Sequence, residues 1–422
     1  MYHRPLLLVF LLLVAVTLGC GSDDHQGTVI TFPASAVGKE AEVLHQQIAR
    51  FHEQHPDIHI ELQYTPDASD QRHQLYVQWL NAHASDPDIL QLDAIWTPEF
   101  AAAGWILPLD RFHVETDDFF KATVRANQWR GKLYALPWFV DVGMLYYRTD
   151  LTDGPPRTLA DLTRLARADK PRTANPHYGF LWQGARYEGL ICVFTEVIGG
   201  FGGQIMDDQG RIVVDSEAGV EALTFLRDSI YTTDISPESV LTWQEEQTRF
   251  GFQNGQSVYL RNWPYAYALM QDRKDSSVAG KFAVTVMPAA PGGEPTAALG
   301  GSQLAINAHT EHPEAAYRVI DFLTRPEQQL ERAFVVGQFP SRRSIYDRPE
   351  LAKALAVPPA EARRLIEHAA PRPVTPVYAQ LSGILQIWLH RALTNQAEPR
   401  AALKNAAQEM RTLLRRVGLG EE

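Results

Sequence analysis

The stretch VITFPASAVGKEAEVLHQQIARFHEQHPDIHIELQYTPDASDQRHQLYVQWLNAHASDPDILQLD, residues 29–93, decides the fold. Val29, Ile30 and Phe32 read as a strand. A helix follows from about Gly38, with Leu44, Ile48 and Phe51 on one face, and Pro56 ends it. Ile58, Ile60, Leu62 and Tyr64 alternate as a second strand. A helix from about Ser69 carries Leu75, Trp79 and Leu80, and Asp88 to Leu92 reads as a third strand after Pro87. This β-α-β-α-β order implies a parallel sheet with right-handed crossovers. In such sheets ligands sit beyond the carboxyl ends of the strands. Glu40, in the first turn of the first helix, falls on that edge, as do Arg72, in the first turn of the second, and Asp93, at the end of strand three with Trp96 close behind. The plainer reading makes Glu40 an acid favoured by the helix dipole and Arg72 and Asp93 a surface pair.

Working outward, the first residues read as an export signal. His3 and Arg4 precede an apolar run, Pro5 to Leu18, that is shorter than the about 20 residues needed to span a bilayer. It ends Thr17-Leu18-Gly19-Cys20 and is followed by a polar spacer, which resembles a lipobox with Cys20 as the lipidated first residue. The alternative is an ordinary signal peptide. Either way the expected location is periplasmic or extracytoplasmic. Residues 21–27 form a tether. About 400 residues remain, enough for two domains. Among the 422 residues, 50 are acidic and 39 basic, and no cationic cluster suggests nucleic-acid binding. Apart from Cys20 the only cysteine is Cys192, within Leu190-Ile191-Cys192-Val193-Phe194, which reads as a small buried apolar residue.

Signatures of catalysis are missing from the sequence. It has no Gly-x-Ser-x-Gly and no P-loop lysine, and Gly199-Gly200-Phe201-Gly202-Gly203 reads as a helix-ending turn. His52-Glu53-Gln54-His55 has the wrong spacing for a zinc-binding helix face. No metal and no cofactor is expected, although the paired carboxylates of a glycoside hydrolase have no fixed spacing and stay open. What remains suits a polyhydroxylated ligand: carboxylates to accept from vicinal hydroxyls, an arginine fork to donate, and aromatic faces for the C–H face of a sugar ring. Glu40, Arg72, Asp93, Asp141, Trp263 and Tyr265 supply those types.

Segments spread in order over residues 28–417 carry a resemblance. They include Ser85-Asp86-Pro87-Asp88, Gly131-Lys132-Leu133-Tyr134-Ala135-Leu136-Pro137, Leu145-Tyr146-Tyr147-Arg148, Trp182-Gln183-Gly184 with Tyr187-Glu188-Gly189-Leu190, Arg261-Asn262-Trp263-Pro264-Tyr265-Ala266, Leu299-Gly300-Gly301 and Ala370-Pro371-Arg372-Pro373. The chain resembles the family 1 extracellular solute-binding proteins of ABC sugar importers, and within them trehalose/maltose-binding proteins. The resemblance implies an α/β, type II periplasmic-binding-protein fold: two lobes, each a mostly parallel sheet flanked by helices, joined by strand hinges. It implies lobe 1 over 28–138 plus 288–323 and lobe 2 over 139–287 plus 324–422. As ligand contacts it implies Glu40, Arg72 and Asp93, then Asp141, Trp263, Tyr265, Gly301 and Arg342. Phe139 and Ser302 stand where close relatives carry Tyr and Trp, and are expected to reshape the pocket. The implied role is a monomeric lipoprotein, not an enzyme, that passes a sugar to permease subunits. A polyol or glycosyl-polyol receptor and an exported glycoside hydrolase are the alternatives.

Overall fold

The computed structural model of the chain describes residues 27–35, 38–168 and 178–419; the expected signal segment, Cys20 and residues 21–26 of the expected tether lie outside the described residues. The deciding stretch folds as β1 (Thr28–Ala34), α1 (Glu40–Gln54), β2 (Ile58–Tyr64), α2 (Ser69–Asn81) and β3 (Ile89–Asp93), in the expected order. β1 and β2 pair in parallel, Thr28 opposite Ile58. Helix α1 buries Val43, Leu44, Ile48 and Phe51. Helix α2 buries Arg72, Tyr76 and Leu80, not Leu75 and Trp79. Its inward row is thus spaced by four residues, and the Tyr76 hydroxyl donates to the Pro33 carbonyl at 3.3 Å.

The chain continues through α3 (Thr97–Ala102), α4 (Lys121–Ala126), β4 (Gln128–Trp129), β5 (Lys132–Leu133), β6 (Ala135–Val142), β7 (Met144–Arg148), α5 (Leu159–Ala168), β8 (Tyr178–Leu181), α6 (Glu188–Gly200) and α7 (Glu217–Tyr231). Next come α8 (Glu245–Gln253), β9 (Ser257–Asn262), α9 (Tyr265–Met270), β10 (Phe282–Thr285) and β11 (Leu299–Ile306). The remainder is mostly helical: α10 (Pro313–Leu323), α11 (Pro326–Val336), β12 (Phe339–Pro340), α12 (Pro359–His368), α13 (Tyr378–Leu393) and α14 (Pro399–Arg416). The glycine run behaves as read: α6 stops at Gly200 and Gly202 turns at φ +79°.

Two four-stranded sheets result, ordered β12-β6-β11-β3 and β10-β7-β9-β8. They are less parallel than expected. β3 and β6 both pair antiparallel with β11, and β7 pairs antiparallel with β9 and β10; among the described residues only β8–β9 runs parallel within them. The cause is the passage of the chain between sheets. β6 leaves the first sheet, passes Gly143 and continues as β7 in the second; β11 returns from β10 and re-enters the first sheet against β6. Gly143 is required at the crossing, because a Cβ there would lie 1.6 Å from Glu196 Oε1.

Each sheet has its own core. Phe32, Phe51 and Trp138 centre one, with α1 and α10 against it. Trp182, Phe194, Tyr146 and Tyr259 belong to the other, which extends through α6, α7, α13 and α14. The two sheets are thus the centres of two lobes.

Candidate functional site

Strand register, not proximity in sequence, assembles the site. On the first sheet Asp93 pairs with Ser302, and Ser302 pairs with Phe139, so three neighbouring strands bring these residues to one rung. Two residues further along β6, Asp141 lies opposite Gly300. A cavity of about 260 Å³ opens above this edge. Its first-lobe wall also carries Glu40, Arg72, Gln91 and Gly301; its far wall carries Tyr187, Glu188, Glu245, Glu246, Trp263 and Tyr265.

Asp93 accepts from Arg372 Nη2 at 2.7 Å on one carboxylate oxygen and from the Ser69 hydroxyl at 2.9 Å on the other. Arg72 donates to the Pro66 carbonyl at 3.1 Å and lies 5.5 Å from the Trp96 ring, while its Nε is buried without a partner. Glu40 accepts from the Gln338 amide, whose oxygen is clamped by Arg332 at 2.7 and 3.0 Å. Burial raises the Glu40 pKa despite the opposing charges of Arg332 and Arg72. Asp141 is half-buried in the cavity wall, and its Oδ1 is buried without a partner. Burial, with Glu40 adding to it against Arg332, pushes its pKa up to about 8. Such an unpaired group is a place for a ligand hydroxyl to bond.

Gly301 sits at φ +109°, where a Cβ would lie 2.3 Å from the Phe139 carbonyl oxygen. Gly300 brings its backbone under Trp263, whose ring carbons would stand 3.3 and 3.4 Å from a Cβ at that position. Arg261 covers Trp263 at 4.0 Å and is itself buried in an ion pair with Glu196. The indole N–H of Trp263 donates to Glu245 Oε1 at 3.3 Å, and the Tyr265 hydroxyl donates to Glu246 Oε1 at 2.7 Å. Ser302 accepts from the Gln91 amide at 3.0 Å, and Gln91 in turn accepts from the Ser35 backbone N–H at 2.7 Å.

Glu40, Arg72, Asp93, Phe139, Asp141, Trp263, Tyr265, Gly301 and Ser302 therefore meet around one cavity. Arg342 is a correction. Its Nε donates to the Thr324 carbonyl at 2.7 Å, its guanidinium stacks 4.1 Å from Phe119, and Asp118 lies 3.6 Å away; it is not among the residues lining this cavity. Arg372 stands in the wall instead. Arg372 lies in Ala370-Pro371-Arg372-Pro373, and Tyr187 and Glu188 lie in their own segment, among the stretches that carry the resemblance, but nothing in those stretches marks them as part of a site. Glu245 and Glu246 had no signal either, since acids at the start of a helix are common. Cys192, buried as expected, also lines the cavity, and burial pushes its thiol well above the usual range. Among the described residues no cluster of three or more His, Cys, Asp or Glu could hold a metal ion.

Residues 37–330 match the family described as bacterial extracellular solute-binding protein. The chain belongs to that family. This solute-binding protein is 37% identical, over 82% of its own length and 84% of the relative's, to a probable ABC transporter-binding protein of Deinococcus radiodurans. It is 22% identical to an arabinooligosaccharide-binding protein of Halalkalibacterium halodurans, over 78% of this chain and 74% of that one. Among solved structures it superposes on maltose-bound MalE3 of T. maritima with a TM-score of 0.87 and 42% identity, covering 92% of this chain and 100% of the other. The resemblance to solute-binding proteins of sugar importers is borne out, as is the two-lobed α/β fold. The family is extracellular, and no helix among the described residues is long and apolar enough to cross a membrane.

Proposed function

We propose that this solute-binding protein captures a small sugar, a disaccharide such as maltose or trehalose, and presents it to the permease of an ABC importer without making or breaking a bond. One observation carries the reading: Trp263 and Tyr265 from one lobe and Glu40, Arg72, Asp93 and Asp141 from the other line a single cavity. An aromatic wall suits the apolar face of a pyranose, and the carboxylates and guanidinium suit its hydroxyl rim. The maltose carried by the T. maritima relative supports the substrate class. The expected lobe bounds, 28–138 plus 288–323 and 139–287 plus 324–422, shift with the strands: β6 stays in the first sheet to Val142 and β12 pairs with it, so residues 139–142, Asp141 among them, and 339–340 go with the first lobe. Ligand between them stabilises the closed form by its higher affinity for it. Cys20 is the lipid attachment point, and the protein acts as a monomer. The small volume, about 260 Å³ against the roughly 300–1,000 Å³ of ordinary ligand pockets, also favours a second reading, a polyol or glycosyl-polyol.

Titration calorimetry with trehalose, maltose, sucrose, glucose and a glycosyl-glycerol tests both readings. A ligand at 100 times its Kd raises stability by about 2.7 kcal/mol, so a thermal-shift screen ranks the panel first. Saturable one-to-one binding by a disaccharide, abolished in Asp93→Ala, supports the first reading; saturation by the glycosyl-glycerol alone supports the second. Steady hydrolysis of an offered oligosaccharide would overturn the receptor reading.

A further inference from the structure

Beside the cavity lies a second one, of about 460 Å³, between α2 and α13. Trp96, Gln71, Gln74, Arg186 and Tyr378 line it, the same mixture of aromatic and polar groups as in the first. The two cavities share Ala68, Tyr187, Glu188 and Gln244.

Two of the shared side chains, Tyr187 and Glu188, are fixed in place. Tyr187 caps the N-terminus of α6 and folds back over its first turn; a Cβ at Gly189 would lie 2.1 Å from the Tyr187 hydroxyl oxygen. That hydroxyl donates to Glu245 Oε2 at 2.7 Å, tying it to α8. Glu188 accepts from Arg372 Nη1 at 2.7 Å and from the hydroxyls of Tyr378 and Ser382. Gln386 donates to Ser382 at 2.9 Å and to Asp70 at 3.3 Å. Arg372 also reaches Asp93, which holds Ser69. The bonds form a circuit from Ser69 through Asp93, Arg372, Glu188, Ser382 and Gln386 to Asp70. Moving Glu188 aside would leave Arg372 a buried charge short of a partner, which is costly.

We propose that Tyr187 and Glu188 are a fixed septum that sets the length of the ligand, so that the first cavity takes one or two sugar units and the second is closed to a longer chain. The proposal rests on the sugar reading above. The septum is held by contacts within the protein, and opening it joins two spaces lined by the same mixture of aromatic and polar groups.

Calorimetry with maltose and maltotetraose reads the effect. The wild type should prefer maltose by about tenfold or more, the ratio given by about 1.4 kcal/mol. In Tyr187→Ala that preference should fall by a similar factor or reverse, whereas Tyr187→Phe, which keeps the bulk, should retain it. Gly189→Ala, which displaces the Tyr187 ring without deleting it, should act like Tyr187→Ala. Gly383 lines the second cavity, and a Cβ there meets nothing within 4 Å. Gly383→Leu added to Tyr187→Ala should therefore refill the space and restore the preference for maltose. Equal binding of both sugars by the wild type overturns the septum, and so does an unchanged preference in both opening variants. Loss of both sugars alike in folded Tyr187→Ala and Gly189→Ala makes Tyr187 a ligand contact only and also overturns it. Binding of no sugar by the wild type sinks the sugar reading itself.

Discussion

Asp141→Asn isolates the titration of one half-buried carboxyl without a partner on Oδ1. Burial first, then Glu40, opposed by Arg332 and Arg261, raises its pKa from 3.8 to about 8. Below about pH 3.8 the native and unfolded chains both hold the proton, and the native state has the full benefit of its tighter hold. As pH rises from about 3.8 to 8 the unfolded chain gives up the proton and the native chain keeps it. The benefit then drains away at about 1.4 kcal/mol per pH unit and is gone above about 8. Across the window this amounts to about 5–6 kcal/mol. Asparagine takes no part in it, while titrating groups that do not face Asp141 contribute alike to both proteins. The difference in unfolding free energy, variant minus wild type, should therefore climb in favour of the variant by about 1.4 kcal/mol per unit between pH 5 and 7.5. Urea denaturation of both proteins without ligand, followed by tryptophan fluorescence at matched pH values, measures that slope. A difference flat across the range would mean that Asp141 is ionised throughout, and the account of an unpaired buried carboxyl would be wrong.

Trp263→Ala should weaken sugar binding by about 10- to 100-fold, since an aromatic wall contributes roughly 1–3 kcal/mol; a change under about twofold in calorimetry would remove Trp263 from the binding surface. Gly301→Ala forces a Cβ to within 2.3 Å of the Phe139 carbonyl at φ +109°. It should cost about 1–3 kcal/mol of stability or more, and a loss under about 0.5 kcal/mol in chemical denaturation would refute the strain. Arg342→Ala should leave sugar Kd within about twofold while lowering stability by about 1.5–3 kcal/mol, the worth of its charge-assisted bond to Thr324 and its contact with Phe119. A large loss of affinity with stability intact would return Arg342 to the site.

The first-lobe residues were legible because each sits at a fixed offset from a strand end. Glu40, Arg72 and Asp93 follow from where β1, β2 and β3 stop, and a parallel β-α unit places such positions on one edge. Arg342 and Arg372 show where that logic ends. Both lie in loops late in the chain, and nothing local distinguishes an arginine bound to Asp118 and Thr324 from one bound to Asp93 and Glu188. Apolarity alone does not pick out the inward face of α2 either: Leu75 and Trp79 are more apolar than Arg72, yet the row of Arg72, Tyr76 and Leu80 faces inward.

By itself the sequence determined the succession of strands and helices along residues 29–93 and the acids at the first sheet edge, because periodicity, helix starts and strand ends are local properties of the chain, while the two-lobed class and the family rested on the resemblance carried by segments spread along it. Only the tertiary structure decided that β3, β11 and β6 set Asp93, Ser302 and Phe139 in one row, that Asp141 is left without a partner on Oδ1, and that Arg372 belongs to the wall of the cleft. Strand register and burial are fixed by contacts among residues hundreds of positions apart, and no local stretch of sequence contains them.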